Sequence, residues 1–314
     1  MKNVWLIGAG PMAQEYIKVL KGLKSNFTVI GRGKDTAQKC EEATGCEVIR
    51  DGIEQFLVDT PKVCTHAIVS VGVEKLYETT KVLLEYGVKN ILVEKPAGLY
   101  EEEFQDMVYL SKEKKANVFV AYNRRFYASV IHAQKIIEED GGVTSFNFEF
   151  TEWEHIIAPL KKGKGVKEKW FLANSTHVVD LAFYLGGKPK EICSFTSGNL
   201  AWHPTSSVFS GAGKSDKNAL FSYSANWESA GRWSVEILTK KHKLILRPME
   251  KLQIQKRGSI AQEFVEDIDY LVDNSYKPGL YVQTKVFLTN KHHTLCNIEE
   301  QKQMINIYNK IANY

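Results

Sequence analysis

Chemistry enters this chain first through glycine. Val4-Trp5-Leu6-Ile7 is an apolar run that breaks at Gly8-Ala9-Gly10-Pro11-Met12-Ala13 and resumes as a helix-forming stretch. Gly8, Gly10 and Ala13 fit the pattern GxGxxG/A. Gly8 suits a tight turn, Gly10 lets the main chain approach a pyrophosphate, and Ala13 lets the helix lie close to the strand. The helix opening through Pro11 and Met12 offers its first N–H groups to phosphates. The competing reading is a tight turn with no ligand. The next apolar run ends in Ile30-Gly31-Arg32-Gly33-Lys34. A site for NAD places a carboxylate there, on the ribose 2′-hydroxyl. The first carboxylate is Asp35, which with Gln38 three residues on reads as a capping box. Arg32 and Lys34 suit a 2′-phosphate instead, so NADP(H) is favoured and NAD(H) is the second expectation. If Arg32 is only a surface residue, dual specificity follows.

The elements that must position these residues alternate. Strands are expected at Val4–Ile7, Phe27–Ile30, Val48–Ile49, Ala67–Val71, Ile91–Val93 and Val118–Ala121, with helices near Ala13–Leu23, from Asp35, Glu74–Tyr86 and Glu101–Lys115. Such alternation implies right-handed crossovers and a doubly wound parallel sheet, an α/β Rossmann domain over residues 1–122. After residue 123 the rhythm changes. A helix over Ala128–Glu139 leads to Val143–Phe150, where Phe146, Phe148 and Phe150 recur at period two. Another helix is expected at His177–Tyr184, then strands at Ile192–Phe195, Ala219–Trp227, Trp233–Leu238, Lys243–Leu246 and Leu252–Gln255, then helices at Ile260–Val272 and Ile298–Ile311. Residues 123–314 therefore read as an α+β domain on an open, mostly antiparallel sheet, for substrate binding and oligomerisation, with the final helix free to pack back on the first domain.

The strand Ile91–Val93 runs into Glu94-Lys95-Pro96-Ala97-Gly98. Rossmann-type sheets expose their ligands at this end of a strand, where a lysine beside a chain-stiffening proline is a poor choice for solubility alone. Together with the glycine turn, Tyr122-Asn123-Arg124-Arg125-Phe126 and His177-Val178-Val179-Asp180-Leu181, this resembles the Gfo/Idh/MocA oxidoreductases (glucose–fructose oxidoreductase, inositol dehydrogenase, rhizopine catabolism) over nearly the whole chain. The resemblance implies a nicotinamide-dependent dehydrogenase or reductase that moves a hydride to or from a carbinol of a sugar, cyclitol or nucleotide-sugar. It makes Lys95 the acid/base and His177 its partner. It also implies cofactor contacts from Ser70, Val71 and Glu94, and substrate contacts from Tyr122, Asn123, Arg124 and His177. Trp170 and Asn174, with Trp153 and His155, lie in the long stretch 151–176 and would line the substrate cleft; their aromatic faces suit sugars or plain packing equally. The bland alternatives are an ion pair between Lys95 and Glu94, a packed core His177, and Arg124 or Arg125 joining the domains by salt bridges.

Two departures from that pattern matter. Many members carry an aspartate four residues before the histidine, where this chain has Ala173, and Thr-Pro-Asn-x-x-His is replaced by Val71-Gly72-Val73-Glu74-Lys75-Leu76. The resemblance also covers a glycosidase that retains its dinucleotide, and Ala173 makes a non-catalytic dinucleotide-gated regulator less remote. The bulk properties narrow the rest. Forty-one basic against 37 acidic residues give only +4, too mild for nucleic acid or an anionic membrane. Lys161–Lys169 reads as a mobile basic loop or an attractor for an anionic substrate. Five cysteines without paired spacing suggest neither disulfides nor zinc. A cytoplasmic homodimer or homotetramer binding a sugar-like small molecule is expected.

Overall fold

The computed structural model describes residues 3–289 and 291–314, which divide into two compact units, 1–123 with 274–304 and 124–273 with 305–314. In the first, β1 (Asn3–Ile7), β2 (Asn26–Ile30), β3 (Val48–Ile49), β4 (His66–Val69), β5 (Asn90–Val93) and β6 (Asn117–Val120) are parallel, in the order β6-β5-β4-β1-β2-β3. Helices α1 (Pro11–Gly22), α2 (Lys34–Thr44), α3 (Gly52–Val58), α4 (Leu76–Tyr86) and α5 (Glu101–Glu113) link them. The central strands are apolar on both faces, as a sheet covered on both sides requires. This is the doubly wound Rossmann sheet that alternation predicts.

The second unit begins with α6 (Ala128–Glu139), β7 (Ser145–Glu149), the short α7 (Glu154–Ile157) and α8 (Thr176–Gly186). Strands β8 (Pro189–Ser197), β9 (Val208–Ser215), β10 (Leu220–Asn226), β11 (Ser234–Leu238), β12 (His242–Leu246), β13 (Gln253–Lys256) and β14 (Glu263–Phe264) follow. With β7 they form an eight-stranded sheet, antiparallel except between β7 and β10. Its inner face carries Phe146 stacked on Phe221 and Phe148 stacked on Tyr223, and Phe183 of α8 meets three of these rings edge-on. Asn147, Glu149, Ser222 and Ser224 take the opposite, more accessible face.

The chain then returns. After α9 (Leu271–Ser275), helix α10 (Leu280–Leu288) packs on α1, and β15 (Cys296–Asn297) pairs antiparallel with β6 at the sheet edge. Residues 274–304 therefore cluster with the first unit, whereas the sequence pattern places 123–314 in the second, with only the final helix free to pack back on the first. The last helix, α11 (Ile298–Ala312), gives its start to the first unit and residues from Ile305 to the second. No helix among the described residues is long and apolar enough to cross a membrane.

Local expectations fail in identifiable places. Asp35 is not a cap: α2 begins at Lys34 behind Gly33, and Gln38 reaches forward to Glu42 rather than back. No helix spans 260–272, because Glu263 and Phe264 pair with β13 and Ile260, 96% exposed, has no core to face. Helices α3, α7 and α10 and strands β9, β14 and β15 are additions to the elements the sequence pattern predicts. The Arg125 ion pair lies inside the second unit, on Asp180, rather than between domains.

Candidate functional site

The first unit gathers its polar groups at the C-terminal edge of the parallel strands. Gly8 has φ +128° and donates its N–H to Ile30, while Ser70 N–H reaches Ile7. A Cβ on Gly8 would stand 2.2 Å from the Ser70 carbonyl oxygen. Gly31 is similarly crowded, by Val48 and Ala9. Gly10 differs: it caps α1 in an extended conformation, and among the described residues no atom beyond its own chain neighbours lies within 4 Å of where its Cβ would stand. Pro11 starts the helix, Met12 follows it, and Ala13 is fully buried against the sheet. The first turn carries no acidic side chain and no side-chain cap, so its leading N–H groups have no anionic partner from the helix itself. A pyrophosphate fits this cradle in shape and in charge.

At the end of β2, Arg32 and Lys34 are both exposed, and among the described residues neither makes an ion pair. Helix α3 adds something the sequence reading misses. Glu54 Oε2 and the Arg32 stem both approach the point where a Gly52 Cβ would stand, at 3.3 and 3.5 Å. Asp35, released from capping, is exposed in the first turn of α2. Cations and carboxylates thus share this corner.

Lys95 lies in the turn two residues past the end of β5 and is 9% exposed. Beside it, Glu94 Oε1 accepts a hydrogen bond of 2.8 Å from the Tyr16 hydroxyl of α1, and Gln283 of α10 donates to that hydroxyl at 3.4 Å. Burial pushes the Glu94 carboxyl above the usual range, and the Tyr16 bond and the Lys95 charge oppose this only in part. Burial, then the Glu94 charge, holds the Tyr16 phenol well above its ordinary value. The turn after Lys95 is fixed by Gln301 of α11, which donates to the Pro96 carbonyl at 3.0 Å and accepts from Tyr122 at 3.1 Å. The Tyr122 hydroxyl is therefore engaged in positioning this turn, and the Asn123 amide donates to Pro278. Ser70 and Val71 close the neighbouring strand end, and the buried Ser70 hydroxyl has no hydrogen-bond partner among the described residues. Tyr16, Gln283 and Gln301 are the residues the sequence reading overlooks.

The second unit assembles a separate constellation. Helix α8 packs on β7 and β11, and a π turn, Phe171–Ser175, precedes it. Such turns bulge the backbone and recur at functional sites. Ala173 is buried here, but a carboxylate reaches the turn from elsewhere. Glu152, 2% exposed just beyond β7, accepts from Asn174 Nδ2 at 2.9 Å and from Ser175 Oγ at 2.8 Å. Arg232 Nη1 lies 3.7 Å from its other oxygen. The Arg232 guanidinium sits 4.7 Å from both the Trp153 and Trp233 ring centres, and Arg124 sits 4.8 Å from Trp233. The His177 ring is 6.2 Å from that same indole. Trp170 instead packs edge-on against Trp202, with its indole N–H buried and unpartnered. Arg125 and Asp180 form a buried two-pronged ion pair of 2.8 and 2.5 Å, which anchors α8. Among the described residues no group of His, Cys, Asp and Glu is placed to hold a metal.

Residues 2–122 match the Gfo/Idh/MocA family model, described as an oxidoreductase family with an NAD-binding Rossmann fold, and the match spans the N-terminal domain. The chain is 24% identical to 2,7-anhydro-N-acetylneuraminate hydratase of Mediterraneibacter gnavus over 62% of its own length and 52% of that protein's. The match thus spans about half of this curated relative. Whole-chain similarity appears in solved structures. UDP-N-acetylglucosamine 3-dehydrogenase of Acidithiobacillus ferrooxidans superposes with a TM-score of 0.77 at 13% identity, covering 99% of this chain and 97% of that one. Levoglucosan dehydrogenase in complex with NADH and L-sorbose gives 0.79 at 18% identity, covering 99% and 96%. At these identities the two structures establish a shared fold.

Proposed function

We propose that this protein is an NAD(P)(H)-dependent oxidoreductase that moves a hydride between the nicotinamide and a carbinol or carbonyl carbon of a sugar, cyclitol or nucleotide-sugar. The observation that carries this reading is the placement of Lys95. A nearly buried ammonium stands at the end of β5 on the same sheet edge as the Gly8–Gly10–Ala13 cradle. The dinucleotide, when bound, supplies or accepts the hydride. Gly10 and the first N–H groups of α1 hold its pyrophosphate, and Ser70, Val71 and Glu94 border its nicotinamide end. Lys95 Nζ takes up or returns the hydroxyl proton, as general acid/base work requires. Glu94, held by Tyr16, and Gln301, held on Pro96 and Tyr122, keep that lysine and its turn in place. Within the second unit, His177 and Arg124 are the candidate substrate contacts, and Glu152 brings to the π turn the carboxylate that Ala173 lacks.

NADP(H) is the favoured cofactor, supported by Arg32 and Lys34, which are exposed at the end of β2 with no ion-pair partner among the described residues. The placement of Glu54 beside Arg32 supports NAD(H) as the second reading, because a carboxylate there suits a ribose hydroxyl. We further take the protein to be a cytoplasmic homodimer or homotetramer, which light scattering on the purified chain would check.

The test is Lys95→Met. Dinucleotide binding should persist while sugar turnover falls by about 100-fold or more. Unchanged turnover would remove the lysine from the chemistry.

A further inference from the structure

Two buried donors in the second unit have no acceptor among the described residues. Arg124 Nε and Trp233 Nε1 are both shielded from solvent, and neither finds an acceptor. They belong to neighbouring groups, since the Arg124 guanidinium sits 4.8 Å from the Trp233 ring centre. Among the described residues no carboxylate lies within ion-pair distance of Arg124. Glu250 and Glu152 act on its charge only from farther away, and Arg232 repels it. Glu152 is already engaged by Asn174, Ser175 and Arg232. A guanidinium carries donors and no acceptor, and so does an indole N–H. Ring faces attract the cation but leave its in-plane N–H groups unmet. Removing such a charge from water without a counter-ion is unfavourable unless something else supplies one.

We propose that Arg124 and Trp233 form an oxyanion subsite, and that the sugar substrate bears an acidic group, a carboxylate or a phosphoryl, which this subsite holds. An acceptor-only ligand group satisfies both donors at once and relieves the repulsion between Arg124 and Arg232. Arg232, held on the Trp153 and Trp233 faces, adds long-range attraction. The His177 ring, 6.2 Å from the same indole, places the subsite beside the residue assigned to the substrate. The inference rests on the proposed sugar substrate and goes further by naming its charge. A plain aromatic–arginine stack would account for the ring distances but not for two shielded donors left unmet.

The test titrates the purified full chain with D-glucuronate, D-glucose 6-phosphate and D-glucose, followed by ligand-detected NMR and tryptophan fluorescence. At least one acidic sugar should bind about tenfold or more tightly than glucose, the scale expected of one charge-assisted contact. The better of the two identifies the group as carboxylate or phosphoryl. Arg124→Gln should erase that preference, and Arg124→Lys, which keeps charge but loses the planar fork, should restore part of it. Should Arg124→Gln fail to fold, Arg232→Gln, whose side chain is 46% exposed, carries the test and should weaken the acidic sugar by about threefold. Equal or absent binding of the three sugars, or a preference that survives these substitutions, overturns the subsite. An NADPH and NADH titration of the same samples judges the oxidoreductase reading separately.

Discussion

Gly8 and Gly10 stand two residues apart in one turn, yet the structure assigns them opposite failure modes. Gly8 is required by the protein itself. Its φ of +128° strains any other residue, and a Cβ would stand 2.2 Å from the Ser70 oxygen and 2.7 Å from the Ser70 carbonyl carbon. The first effect costs about 1–3 kcal/mol, and forcing main chain apart costs about as much again. Gly8→Ala should therefore destabilise the first unit, of about 150 residues, by roughly 3–5 kcal/mol and lower its unfolding temperature by about 10 °C. Gly10 is extended, at φ −78° and ψ −176°, and among the described residues no atom beyond its own chain neighbours lies within 4 Å of the place an added methyl group would take. Gly10→Ala should shift stability by less than about 1 kcal/mol. If the turn cradles a pyrophosphate, the same methyl group intrudes on the ligand, and about 1–3 kcal/mol of overlap weakens binding by roughly tenfold to a hundredfold. Scanning calorimetry measures the first quantity, and energy transfer from tryptophan to bound NADPH or NADH measures the second. Wild-type dinucleotide affinity in Gly10→Ala would refute the cradle. An unchanged unfolding temperature in Gly8→Ala would refute the steric argument.

Three further outcomes follow from the same geometry. The double substitution Arg32→Ala with Lys34→Ala should weaken NADPH by about tenfold and spare NADH, on the scale of one charge-assisted contact; equal losses for both dinucleotides would put neither cation on the 2′-phosphate. Arg125→Met leaves the Asp180 carboxylate without its guanidinium at a site where both side chains are 5% exposed, and should destabilise the second unit by about 3–5 kcal/mol in thermal unfolding. Glu94 gives a pH signature. Its carboxyl is raised by burial, so the folded chain holds a proton that the unfolded chain releases near pH 4.5. The associated stability is fully present below that pH and declines as pH rises through the folded value. Glu94→Gln should abolish this decline, so melting profiles of variant and wild type should diverge as pH rises above about 4.5; parallel profiles would show that Glu94 does not titrate in this way.

What the sequence disclosed and what it hid divide along the distance between partners. The strand–turn–helix of residues 4–13 and the lysine at the end of β5 are local, so spacing alone placed them on one sheet edge. Strand β9, which is not among the strands the sequence pattern predicts, has the weak strand sequence Val-Phe-Ser-Gly-Ala-Gly-Lys-Ser and owes its pairing to β8 and β10 on either side. The groups that hold Lys95 are remote: Tyr16 lies 78 residues from Glu94, and Gln301 lies 205 residues from Pro96. Arg232 and Trp233 likewise reach Trp153 and Arg124 only through the fold of the second sheet. Remoteness conceals the partner but not the need for one. In α11 the buried positions Ile298, Met304, Ile305, Tyr308 and Ile311 recur at three- and four-residue spacing, and Gln301 falls on that same stripe. Gln283 holds the corresponding place in Leu280–Leu288, with Leu280, Thr284 and Phe287 buried beside it. A polar side chain on the apolar face of a helix must find a hydrogen bond inside the protein. Each glutamine therefore announces, in sequence alone, a buried acceptor or donor elsewhere in the chain. In this protein both lead to the Glu94-Lys95-Pro96 turn, Gln301 directly through the Pro96 carbonyl and Gln283 through the Tyr16 hydroxyl.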